Sequence, residues 1–153
     1  MIQLEPKKTI VKIMISHKSK DTVFNFFEDV KNLEIGGAIS NIDKDIDDWY
    51  TFKHVVAGSA RLKIVANDNQ LGILDHLFEG GGLSWTVYVR VIDNGYGSTT
   101  TWTFLRPDGL TDAQFEEQLK GFDVEIEKWN NYLLNSISRN TGLLDLRSRY
   151  NNL

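Results

Sequence analysis

The chain contains no cysteine, which removes disulfides, thiolate metal sites and thiol nucleophiles together and suits a reducing compartment. An excess of basic residues is also missing: 17 Lys and Arg stand against 21 Asp and Glu, and a net charge of -4 argues against binding to phosphate backbones. No basic stripe accompanies the aromatics. No apolar run approaches the roughly 20 residues of a membrane span, and the N-terminus lacks the apolar core of a signal peptide. These absences predict a soluble, cytoplasmic protein with no nucleic acid among its partners and no membrane span. His17, His54 and His76 are too scattered for a metal site, and neither a P-loop nor a nucleophile elbow is present. No metal or cofactor is expected. Two apparent motifs dissolve on inspection. Asp43-Lys44-Asp45-Ile46-Asp47 begins like a calcium loop, but Asp48 stands where a glycine is needed and His54 where a bidentate glutamate is needed. Gly95-Tyr96-Gly97 resembles part of a dinucleotide fingerprint, yet no helix follows to receive a pyrophosphate.

What is present is one long amphipathic helix. From Thr111 to Ile137, Phe115, Leu119, Phe122, Ile126, Trp129, Leu133 and Ile137 recur at steps of three and four. Thr111 and Gln114 have capping-box spacing, and Asp112, Glu116 and Glu117 suit the positive end of the helix dipole. Nearly everything before this helix reads as strand. Thr9 to Ser16 alternates Ile10, Lys12 and Met14 with the more apolar Val11, Ile13 and Ile15. Ser19 can cap a helix carrying Val23, Phe24, Phe27, Val30 and Leu33 on one side, stopped by Gly36 and Gly37. A second short helix can follow in the same stretch. Further strands are expected near 42–47, 49–56, 60–66, 72–79, 84–93 and 98–105, punctuated by Gly58, Asn67-Asp68-Asn69, Gly80-Gly81-Gly82 and Asn94-Gly95. For Asn94-Gly95 a two-residue hairpin with positive φ at both positions is expected. Pro107-Asp108-Gly109 ends the sheet. The fold class is α+β: a curved antiparallel sheet of about seven strands wrapped around a long C-terminal helix, with one or two short helices after the first strand. A single domain spans 1–153, its core at about 9–137, with 138–153 as a C-terminal extension.

This order of elements resembles the helix-grip fold of the START and birch-pollen-allergen superfamily (SRPBCC). Gly72-Ile73-Leu74-Asp75-His76, Arg90-Val91-Ile92 with Asn94-Gly95-Tyr96-Gly97-Ser98, Phe104-Leu105-Arg106-Pro107 and Leu110-Thr111-Asp112-Ala113-Gln114-Phe115 look like its polyketide cyclase/dehydrase-like branch. The resemblance covers about Thr9 to Leu134. Where many members carry a tryptophan after the first helix, this chain has Gly36-Gly37. The superfamily includes lipid carriers, hormone receptors, cyclases and chaperone-ATPase activators, so the resemblance implies a fold and leaves the activity open.

A curved sheet that its helix cannot fully cover leaves an interior space, so inward polar residues are the candidates. His76 shares a strand face with Leu74 and Phe78, whereas Asp75 shares the other with Ile73 and Leu77. Only one faces the cavity. His76 is favoured, because imidazole can accept, donate or shuttle a proton; the alternative is a histidine satisfied by neighbours with no ligand. Arg90 lies on the face of Thr86, Tyr88 and Ile92, either lining the pocket, where it would hold an anionic ligand, or on the outer surface. Trp49, Tyr50, Trp85, Tyr88 and Trp102 are strand aromatics that either stack on a flat ligand or fill the core. The expected ligand site is His76, Arg90, Tyr88, Trp49, Trp102, Phe78 and Phe122.

Three functions remain. The first is binding of a small hydrophobic or aromatic molecule between sheet and helix. The second is a cofactor-independent cyclase, dehydratase or isomerase in which His76 or Asp75 moves a proton and Arg90 steadies an oxyanion. The third is a protein-interaction module using the sheet exterior or the tail after Gly142, where Leu143, Leu144, Leu146 and Tyr150 seek a home on the same chain or in a homodimer, helped by Val124. Gly121 inside the long helix costs about 1 kcal/mol relative to alanine, which either marks a close approach or is a tolerated defect.

Overall fold

In the computed structural model, which describes residues 5–136, a seven-stranded antiparallel sheet bends around one long helix. Strands β1 (Thr9–Ser16), β2 (Ile39–Lys44), β3 (Tyr50–His54), β4 (Gly58–Asp68), β5 (Ile73–Gly80), β6 (Leu83–Asn94) and β7 (Gly97–Leu105) line up in the order β1-β7-β6-β5-β4-β3-β2. β1 and β2, the two edges, are joined by helix α1 (Lys20–Glu28) and a 3-10 segment, Val30–Gly36. Helix α2 (Asp112–Ser136) closes the concave side. This is the helix-grip architecture.

The capping signals operate as chemistry requires. Thr111 Oγ1 accepts from Gln114 N–H at 3.1 Å while the Gln114 side chain accepts from Thr111 N–H at 2.9 Å, a complete capping box. Ser19 likewise accepts from Thr22 N–H at 3.2 Å to start α1. The helical run expected to reach Leu33 breaks at Asp29, whose extended backbone ends α1 and whose carboxylate caps Lys31 N–H of the 3-10 segment. The strand expected at 42–47 begins earlier, at Ile39, and ends at Lys44, because Asp47 and Asp48 take left-handed φ of 55° and 64° in a short turn after it. In the β6–β7 hairpin Asn94 pairs with Gly97, so the loop is Gly95-Tyr96, and Gly95 at φ 59° is its positive-φ residue. Asn94 itself belongs to the ladder.

Phe115, Leu119, Trp129 and Leu133 of α2 are buried, and Phe122 and Ile126 are half-buried against the same core. Phe27 of α1, Trp102 of β7, and Phe122 and Trp129 of α2 form one aromatic cluster with ring centroids 5.3–5.9 Å apart. Burial of such rings is the dominant stabilising term. A methyl group added at Gly121 would meet open space, so that glycine permits no close approach.

β1 turns Ile10, Met14 and Ser16 inward, and Lys12 of the same set reaches Asp123 of α2 at 2.9 Å. The more apolar set points out, leaving Ile13 57% and Ile15 65% exposed. Ile137 and the tail leucines lie outside the described residues.

Candidate functional site

The two faces of β5 separate neighbouring residues as alternation requires. Leu74, His76 and Phe78 point inward beside Val87, Val89 and Val91 of β6, and Asp75 points outward. Two irregularities surround Asp75: a bulge in β4 between Ile64 and Ala66, and an interruption of the β5–β6 ladder. The carboxylate fills that interruption. Asp75 Oδ1 accepts from Val89 N–H at 3.1 Å and from Arg90 Nη1 at 2.6 Å. Arg90 also donates to its own strand at Val89 O, 2.7 Å away.

Arg90 is paired with Ile73, opposite an outward residue, so the register carries it to the outer face with Tyr88 and Ile92. Its side chain is 40% exposed. Trp49 also lies outside, with the Arg61 guanidinium 3.9 Å above its ring and Arg61 bound to Glu79 at 2.7 Å. A groove of about 540 Å³ surrounds the Arg61–Glu79 pair, lined also by Thr51, Ser59, Ala60, Leu83 and Ser84. Of the seven expected ligand residues, the structure thus gathers His76, Phe78, Trp102 and Phe122 on the inner side and leaves Arg90, Tyr88 and Trp49 on the other.

His76 is 5% exposed, and its Nε2 has no hydrogen-bond partner among the described residues. Phe78 lies 6.0 Å from the imidazole, stacks on Trp85 at 5.6 Å and meets Phe52 edge-on at 6.1 Å. This apolar setting lowers the histidine pKa to about 4, mainly by desolvation, against the opposing influence of the Asp75 charge and the Leu74 backbone. His76 is therefore neutral at physiological pH. An unpartnered polar atom in such a place is costly.

Helix α2 supplies a group that the apolar periodicity hides. Glu125 is 7% exposed, lies between Phe122 and Trp129 on the helix surface, and accepts no hydrogen bond among the described residues. Burial raises its pKa to about 8, with the Lys128 charge acting in the opposite direction. The only sequence signal was a glutamate three residues from one member of the stripe and four from another. The same helix accounts for Gly36: a Cβ there would lie 2.9 Å from the Trp129 ring and 3.0 Å from Glu125 Cβ. Trp129 thereby occupies the wall that Gly36-Gly37 left open. Its indole Nε1 is buried without a partner among the described residues.

Among the described residues, no group of three or more His, Asp or Glu side chains could hold a metal ion, and no helix is long and apolar enough to cross a membrane.

Comparison with solved structures agrees with the architecture. The chain is similar to Ara h 8.0201 with a TM-score of 0.64 at 16% identity, over 84% of this chain and 98% of that one. It is similar to XoxI from Bacillus cereus with a TM-score of 0.71 at 9% identity, over 83% and 96% of the two chains. TTHA0849 from Thermus thermophilus gives 0.61 at 11% identity, over 84% and 99%. At these identities the likeness is one of fold. No family model matches the sequence, and no curated protein does.

Proposed function

We propose that the protein binds a small, largely apolar or aromatic molecule between the inner face of the sheet and α2. The observation that carries this reading is His76 Nε2, buried and without a partner beside a bank of aromatic rings. Phe78, Trp85, Phe122 and Ile126, partly buried and packed against the core, are the apolar surface that such a ligand would meet. The neutral ring can present Nε2 as an acceptor. A hydroxyl or N–H on the ligand supplies the missing donor.

The same chemistry speaks against the cyclase, dehydratase or isomerase reading built on His76, Asp75 and Arg90. A histidine of pKa about 4 is a weak proton acceptor, and Asp75 and Arg90 are engaged with each other on the opposite face. Anionic ligands likewise lose the guanidinium expected to hold them. Titrating the protein with 2-naphthol and with naphthalene, read by tryptophan quenching, tests the binding reading. Both should bind, 2-naphthol the tighter, and His76→Phe should remove that preference. No binding of either would sink the proposal.

A second reading, an interaction surface or homodimer, has its own support in the outer row of Val11, Ile13, Ile15 and Ile92, each at least half exposed. Sedimentation over a range of concentrations tests it, and a monomer throughout would exclude the homodimer.

A further inference from the structure

The sheet has two edges, and among the described residues only one of them is guarded. An edge strand presents unpaired N–H and C=O groups, and natural sheets blunt it with a short strand, a bulge, outward charges or proline. β2 has such devices: it is six residues long, its register on β3 shifts between Ser40 and Asp43 around Asn41 at φ 56°, and it carries Asp43 and Lys44. Glu34 also accepts from its Ile42 N–H at 2.9 Å. β1 has none of these. Its eight residues stand in unbroken register with β7, and its outward positions are Thr9, Val11, Ile13 and Ile15. Its one charge, Lys12, is turned inward to Asp123 at 2.9 Å.

The backbone of β1 alternates in direction. Lys8 O accepts from Arg106 N–H at 2.9 Å, and Ser16 O lies 2.1 Å from where a Cβ on Gly97 would stand, both on the β7 side. Ile15 O instead accepts from Asn130 Nδ2 of α2 at 3.0 Å. The even-numbered residues therefore pair with β7, and Val11, Ile13 and Ile15 turn their N–H and C=O groups to the open edge.

We infer that this edge pairs with a second copy of the chain, β1 against β1, antiparallel about a twofold axis at Ile13. The inference rests on the homodimer reading above and specifies its surface. An axis at Ile13 sets Val11 opposite the partner's Ile15, apolar against apolar, and Lys12 opposite the partner's Met14, so that no charge meets its like. An axis at Lys12 would set lysine against lysine. Ile15 O keeps a second lone pair for the partner's Val11 N–H beside the Asn130 bond. Such pairing occupies the backbone of β1 and leaves the outer faces of its side chains in solvent. Because β2 is guarded, growth stops at two copies.

Sedimentation and amide hydrogen exchange on the same samples test this. The dimer fraction should rise with concentration, and the amides of Val11, Ile13 and Ile15 should gain protection in step with it, while Lys12 and Met14 are protected throughout. Ile13→Lys should weaken association at least about tenfold and remove that gain, since it sets like charges together at the axis. Ile92→Lys, on the outer face two strands from the edge, should leave both unchanged. A dimer broken by Ile92→Lys and not by Ile13→Lys would keep the homodimer on the outer face and overturn the edge assignment. Full protection of the three amides already in the monomer would place another part of the same chain on the edge, and would overturn it too. A monomer at every concentration would sink both readings.

Discussion

Asp75 and His76 are consecutive residues, comparably buried, and opposite in chemical state. On the outer face Asp75 has two donors, one of them a charged guanidinium, and its carboxylate repairs an interruption in the sheet. On the inner face His76 has an unsatisfied nitrogen among aromatic rings. A buried polar group whose partners are all present helps to hold the fold together, whereas one without a partner calls for an explanation, which the proposed ligand supplies for His76. The difference reassigns the motif around residues 72–76: its acid is structural, and its histidine is the functional candidate.

The largest expected effect is on the inner side. Trp129→Ala should cost about 3–5 kcal/mol, since the ring is 2% exposed and contacts Phe27, Trp102 and Phe122. Denaturant melts will show it, and a loss under about 1 kcal/mol would mean the helix face is misassigned.

Next comes acid sensitivity. His76 has a folded-state pKa of about 4, below its unfolded value of 6.5, so between those values the unfolded state binds more protons and stability falls as pH falls. The full effect is on the order of 3 kcal/mol, at about 1.4 kcal/mol per unit. His76→Phe should lose this contribution, so the stability difference between variant and wild type should move in the variant's favour from pH 6.5 to pH 4. A constant difference would place the imidazole in water.

Asp75→Ala should cost about 2 kcal/mol. It strands Val89 N–H and one guanidinium, and the partial exposure of Arg90 keeps the loss below that of a fully buried pair. It should leave 2-naphthol binding intact if the two faces are independent. The smallest effect belongs to the outer row of β1, where Ile13→Thr should change stability by under about 0.5 kcal/mol, because the side chain is already 57% exposed. A clear drop in melting temperature would show that Ile13 is covered in solution.

Much of the fold was legible because local signals agreed with one another. The capping box at Thr111, the apolar stripe of α2 and the turn glycines each carry their own physics. Alternation alone also separated Asp75 from His76. It grouped Arg90 with Tyr88 and Ile92 but left their side of the sheet open, because that depends on the register that sets Arg90 opposite Ile73. The faces of β1 were ambiguous for a related reason: Lys12 points inward where Asp123 receives it, so the more polar set is the inner one. Glu125 escaped because a stripe defined by apolar residues passes over a glutamate, and its state is set by the surrounding tertiary packing.

The most direct test of the contrast between the faces is methyl and imidazole NMR of the protein titrated with 2-naphthol. Ligand-induced shifts should centre on the His76 ring and the methyl groups of Leu74, Val87, Ile64 and Ile126, while Val11, Ile13, Ile15 and Ile92 on the outer face stay in place. Shifts confined to the outer row, or to the residues around the Arg61–Glu79 groove, would contradict the account.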